Sequence, residues 1–112
     1  MHDNLFKHVF RELNADADAA ASLAYDVSSF EEFLVPRELW PLNLLAAFDG
    51  SRSSVSRSSV GICVYEVTLS RERKLLYRAG RVLSGPCNSS TWAEAMALRM
   101  LAVQLRKWFV GV

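Results

Sequence analysis

Apolar positions recur along this chain as helical stripes and as uncharged runs, and the two patterns predict different elements. Leu5, Phe6, Val9, Phe10 and Leu13 follow i, i+1, i+4, i+5, i+8, the stripe of an amphipathic helix that Asp3 can cap. The Ala-rich run from Ala15 to Tyr25 has high helix propensity but only a weak stripe. Ser28 and Ser29 precede Glu31 and Glu32 by three residues, a capping-box spacing that predicts a short helix holding Phe33 and Leu34. Pro36 and Pro41 then interrupt the chain, which puts a boundary near residues 36–41.

From Leu42 the pattern changes. Leu42 to Phe48 carries no charge, as expected of a central strand covered on both faces. Ser51 to Ser59, rich in Ser and Arg, reads as a flexible cationic loop. Val60–Leu69 and Leu75–Leu83 read as two more strands, joined by a turn at Ser70–Arg73, and connections this short imply an antiparallel meander. Beyond Gly85-Pro86, Thr91 and Glu94 have capping-box spacing, and Ala93, Ala97, Met100, Leu101, Leu105 and Trp108 form one apolar stripe. The expected fold is α+β: a three-stranded antiparallel meander, a helix packed on it through Met100 and Leu101, and extra N-terminal helices. Residues 1–40 form an acidic helical segment and residues 41–112 the domain proper.

Composition narrows the class. Hydrophobic residues make up 51% and charged residues 22%, a globular rather than a disordered balance. No apolar run approaches the roughly 18 residues of a membrane span. Met1-His2-Asp3-Asn4 lacks the basic start of a secretory signal. Cys63 and Cys87 have no His at ligand spacing, so they read as reduced structural thiols of an intracellular protein, cytoplasmic or nuclear. The net charge of +1 conceals a division. Residues 1–49 carry three basic and nine acidic side chains, whereas residues 50–112 carry ten basic and three acidic ones. Such asymmetry fits either a polyanion-facing half or two faces that attract each other.

Two acids could carry chemistry. Asp49 ends the uncharged strand, where a carboxylate needs water, a donor or a cation; it could equally open an Asp-Gly turn. Glu94 falls on the same side of its helix as Leu98, Leu101 and Leu105, an unusual place for a charge unless it is the capping partner of Thr91. Brought to one sheet edge, the two would suit a hard cation such as Mg²⁺.

Phe48-Asp49-Gly50-Ser51 resembles the first-strand Asp-Gly-Ser of RNase H domains, as found in ribonuclease H and in reverse-transcriptase and retrotransposon RNase H domains. Gly61-Ile62-Cys63-Val64-Tyr65 resembles their second strand, Ala79-Gly80 their third, and Ser90-Thr91-Trp92-Ala93-Glu94-Ala95 the opening of their first helix. The resemblance runs from about Leu42 to Leu105. It implies a truncated RNase H-like fold, a nuclease that hydrolyses the RNA strand of RNA/DNA hybrids with two metal ions, and Mg²⁺ or Mn²⁺ ligated by Asp49 and Glu94. Gly50, Ser51, Arg52, Ser90 and Thr91 would then contact nucleic acid. The family's third and fourth acids have no counterpart, since none of the 18 residues after Glu94 is acidic. The chain is therefore expected to be inactive alone, with self-association through an open sheet edge. The alternatives are a noncatalytic nucleic-acid-binding or protein-interaction module, and an unrelated small α+β domain.

Overall fold

A computed structural model describes the backbone of residues 2–54, 57–70, 72–85 and 89–109, and side chains from Asn14 onward. The elements are α1 (His2–Val27), β1 (Ser29–Phe33), a short 3₁₀ turn (Arg37–Leu39), β2 (Leu44–Ser54), β3 (Arg57–Val67), β4 (Arg73–Ser84) and α2 (Ser90–Phe109). The strands form one antiparallel sheet in the order β1-β4-β3-β2. α1 covers one face and α2 the other.

The expected meander is present as β2, β3 and β4, with a fourth strand added to it. Residues 29–33, expected to be helical, form β1 instead. Ser28 adopts φ 72° and donates its N–H to the Ala24 carbonyl at 2.7 Å, so the serine pair ends α1 rather than starting a new helix. The chain reverses and pairs with β4, with Glu31 opposite Ala79 and Phe33 opposite Tyr77. Glu31 and Glu32 serve this pairing: Tyr77 donates to Glu31, and Arg78 forms an ion pair with Glu32 at 3.1 Å.

Two further expectations change. β2 lies at the sheet edge rather than in the centre, because β3 is flanked by β2 and β4 and no described strand pairs with the outer side of β2. Most of the presumed Ser/Arg loop is ladder: β2 runs to Ser54 and β3 begins at Arg57, with Val55 and Ser56 outside the described residues. Ser58 and Ser59 are fully buried, small enough to fit beneath the helices.

The two faces are packed differently. On the α2 side Ile62, Val64, Leu76, Tyr77, Ala79 and Leu101 make the main core, and Phe48, Met100 and Leu105 pack against it. A β4 bulge at Leu76 turns both Leu76 and Tyr77 into this layer. Phe33, Trp40, Tyr77 and Trp108 close one end as a ring cluster, with centroids 4.7 Å apart for Tyr77–Trp108 and 5.0 Å for Trp40–Trp108. Arg37 lies over Trp40 and Phe109 and donates to the Trp108 carbonyl. The expected apolar stripe of α2, Met100 and Leu101 included, is the one that meets the sheet.

On the α1 side the contact is backbone to backbone. Ala17, Ala20, Ala21 and Ala24 are fully buried. A Cβ on Gly61 would lie 2.1 Å from the Ala17 carbonyl oxygen, and one on Gly80 2.4 Å from that of Ala20. Ser59 donates to the Ala21 carbonyl at 2.7 Å, and Tyr65 donates to the Asp16 carboxylate.

Gly61→Ala should therefore cost about 2–3 kcal/mol, since neither backbone can yield without displacing the helix. Gly85→Ala, at φ 106° with open space around it, should lose only the roughly 1–2 kcal/mol of a left-handed residue. Urea unfolding of both variants checks the order; equal losses would contradict the packing argument.

Candidate acidic site

The site begins with Gly50. A Cβ there would meet the Ala93 carbonyl carbon at 2.2 Å and the Glu94 nitrogen at 2.4 Å. The glycine expected to approach a nucleic acid is thus in contact with the first turns of α2, and this brings the Glu94 backbone against the neighbour of Asp49. Directly opposed residues share a face, so Asp49, opposite Gly61, is directed toward the α1 layer, while Gly50, opposite Val60, is directed toward α2. The Asp49 side chain is thus directed to the α1 face, whereas Glu94 belongs to the helix on the other face. They approach where β2 is the outermost strand, close enough for the Glu94 charge to act on Asp49.

A further carboxyl bears on Asp49 from the α1 side. Asp18, on α1 beside the buried Ala17, lies within hydrogen-bonding reach of Asp49. Burial pushes the Asp49 carboxyl up to about 6; the Asp18 hydrogen bond and charge and then the Glu94 charge add to this, and the Gly50 backbone N–H opposes it. Among the described residues no three His, Cys, Asp or Glu side chains converge as metal ligands would. Asp49 keeps its proton more readily than a free carboxyl.

Glu94 is free of the capping role. The hydroxyl of Ser89 accepts from Trp92 N–H at 3.1 Å, making Ser89 the cap and leaving Thr91 exposed within the first turn. Glu94 itself is exposed and Leu98 is half exposed, so both flank the buried stripe of Ala93, Ala97 and Leu101 rather than belonging to it. The expectation of a core-facing glutamate erred by one step around the helix.

The residues expected to touch nucleic acid differ in their freedom. Arg52, Ser90 and Thr91 are exposed. Ser51 accepts a hydrogen bond from the Tyr25 hydroxyl at 3.2 Å. Arg57, another candidate cation, lies over the Tyr25 ring and donates to the Tyr25 carbonyl at 2.9 Å. Both therefore secure the end of α1. On the same face Cys63 is buried, donates to the Tyr65 oxygen and has its thiol pushed up to about 11 by burial, as an inert core thiol should. No described helix is long and apolar enough to cross a membrane.

Sequence reasoning missed Asp18. Its signal was the Ala17, Ala20, Ala21, Ala24 spacing, i, i+3, i+4, i+7, which marks a buried helix face with Asp18 at its border.

A carboxyl with a raised folded-state value holds its proton more tightly in the folded chain. Its stabilising effect is complete below the ordinary range near 3.8 and is lost as pH rises through about 6. Asp49→Asn should remove this component and stabilise the chain at pH 7 by on the order of 1–2 kcal/mol, allowing for solvent screening of a half-buried group. Denaturation curves from pH 4 to 8 check it; parallel pH profiles for the two proteins would contradict it.

No known family model matches the chain, and neither a curated protein nor a solved structure does.

Proposed function

We propose that this chain is the front part of an RNase H-like domain, retaining the acid pair of such a nuclease but unable to cleave by itself. The observation that supports the reading is the contact of Gly50 with the Ala93–Glu94 backbone, which sets the start of α2 against the residue next to Asp49. Two-metal hydrolysis needs enough carboxylates to hold both ions and offset their repulsion. Asp49 and Glu94 do not suffice for that. They would hold at most one hydrated Mg²⁺ or Mn²⁺, with Asp18 as an outer partner that the RNase H motifs do not include. Binding such an ion requires Asp49 to lose its proton, so affinity should rise through pH 6.

Hybrid binding in this reading uses the exposed Arg52, Ser90 and Thr91 at the α2 start, with hydroxyls suited to a ribose 2′-OH. Phosphate contacts release counterions, so binding should be weak and weaken steeply with salt. A noncatalytic nucleic-acid-binding module would share these properties but not the metal dependence.

The test uses the full chain with an RNA/DNA hybrid, in Mg²⁺ and then Mn²⁺. No cleavage is expected. Mn²⁺ should broaden the NMR signals around Asp49 and Glu94, and Asp49→Asn should abolish the broadening. Cleavage, or an absence of local broadening above pH 7, would overturn the reading.

The outer edge of β2 is unpaired among the described residues and includes the uncharged Leu44–Phe48, a template for a second copy. Static light scattering should show dimers growing with concentration, and Ala46→Lys should suppress them. A monomer at all concentrations would contradict this.

A further inference from the structure

α2 carries two stripes; the sheet covers one, and among the described residues the hydrophobic core packs against the other only at Met100, which lies between them. Ala93, Ala97 and Leu101 are buried against β2 and β3. Met96, Arg99, Met100, Val103 and Gln104 form a second stripe at i, i+3, i+4, i+7, i+8, the spacing of a helix-on-helix seam. This second stripe is one wall of a groove of about 440 Å³, with Val60, Arg81 and Leu83 as its floor. The groove continues past Arg81, Met100 and Gln104 to Ser29, Glu31, Tyr77 and Ala79. Residues alternate across a strand, so Leu83, Arg81, Ala79 and Tyr77 all point to the α2 side of β4. α1 lies on the opposite face, and α2 leaves this half of its own face uncovered.

The chemistry of the lining selects an occupant. Val103 is 58% exposed, and the two methionines supply adaptable apolar surface. Arg81 and Arg99 are exposed and pair with no carboxylate among the described residues. The one carboxylate lining the groove, Glu31 at its far end, accepts hydrogen bonds from Tyr77 at 2.7 Å and Gln104 at 3.0 Å. The groove thus offers an apolar seam between two uncompensated cations. It has room for a row of side chains rather than a whole helix, so a partner would lie along α2 and insert one ridge.

We propose that this groove docks an amphipathic helix of a partner protein, with an apolar ridge against Met96, Met100, Val103 and Leu83 and acidic residues facing Arg81 and Arg99. The inference is independent of the Asp49–Glu94 site, which lies toward the β2 edge, the other side of α2. Helix-in-groove recognition of this kind is read through apolar anchors at i, i+3, i+4 and i+7, with flanking charge giving specificity.

The test uses the full chain and a labelled synthetic helical peptide with leucines at that spacing and glutamates on both flanks. A counterpart with every glutamate replaced by lysine is the control. Anisotropy should show the acidic peptide binding at least tenfold more tightly. Val103→Asp and Arg99→Glu should each weaken it tenfold or more with unchanged circular dichroism melts, and NMR shifts should map to Met96, Met100, Val103, Leu83 and Arg81. Equal binding of both peptides, shifts at the β2 edge, or a DNA duplex displacing the peptide while binding the same residues would overturn the proposal. So would dimers that Val103→Asp dissolves, since the groove would then belong to a second copy.

Discussion

The close seating of α1 on Gly61 and Gly80 is the constraint on which the rest of the molecule depends. With side chains at those positions the helix would stand off by a layer of atoms, and its alanine face would no longer meet the sheet. Everything specific to that face follows from the short separation. Tyr65 reaches Asp16, Ser59 reaches the Ala21 carbonyl, and Tyr25 receives Arg57 and reaches Ser51. Asp18 arrives beside Asp49 for the same reason. A burial that contributes little apolar area thus sets the electrostatics of the candidate site through geometry alone.

The two faces are held by different physics. The α2 face buries large side chains and rings, where the gain scales with apolar area. The α1 face relies on small residues, close van der Waals contact and hydrogen bonds to helix carbonyls. Charge follows the same division less strictly. The acidic first half and basic second half meet through specific contacts, such as Glu32 with Arg78 across β1 and β4, while Arg81 and Arg99 have no such counterpart among the described residues.

Much of this was legible in the sequence where a single local signal dominates. The uncharged run before Asp49, the two further strands joined by the short Ser70–Arg73 connection, and the stripe of α2 each point to the element that forms. Ser28 and Ser29 misled because a serine before glutamates suits a helix start, whereas here positive φ at Ser28 makes it a helix stop. The edge position of β2 depends on which strands the chain pairs with it, which no local pattern encodes. The motifs single out Asp49 and Glu94, and the Glu94 charge does act on Asp49. The contribution of Asp18 was not legible, because it depends on a helix crossing the sheet from a segment that looked separate. The shift of the cap from Thr91 to Ser89 is a two-residue error of boundary, but it changes what Glu94 is free to do.

The ring cluster has a consequence for how the chain reaches this structure. Phe33, Trp40, Tyr77 and Trp108 come from β1, the connector, β4 and the last turns of α2, so their contacts join residues far apart in sequence. β1 likewise has no partner until β4 has been made. Loop closure over such distances must be paid for before the contacts return anything, which places the molecule among the slower-folding topologies of its size. During synthesis the first half would leave the ribosome with an exposed alanine face and no sheet to receive it. That face finds its partner only once β3 and β4 have been made.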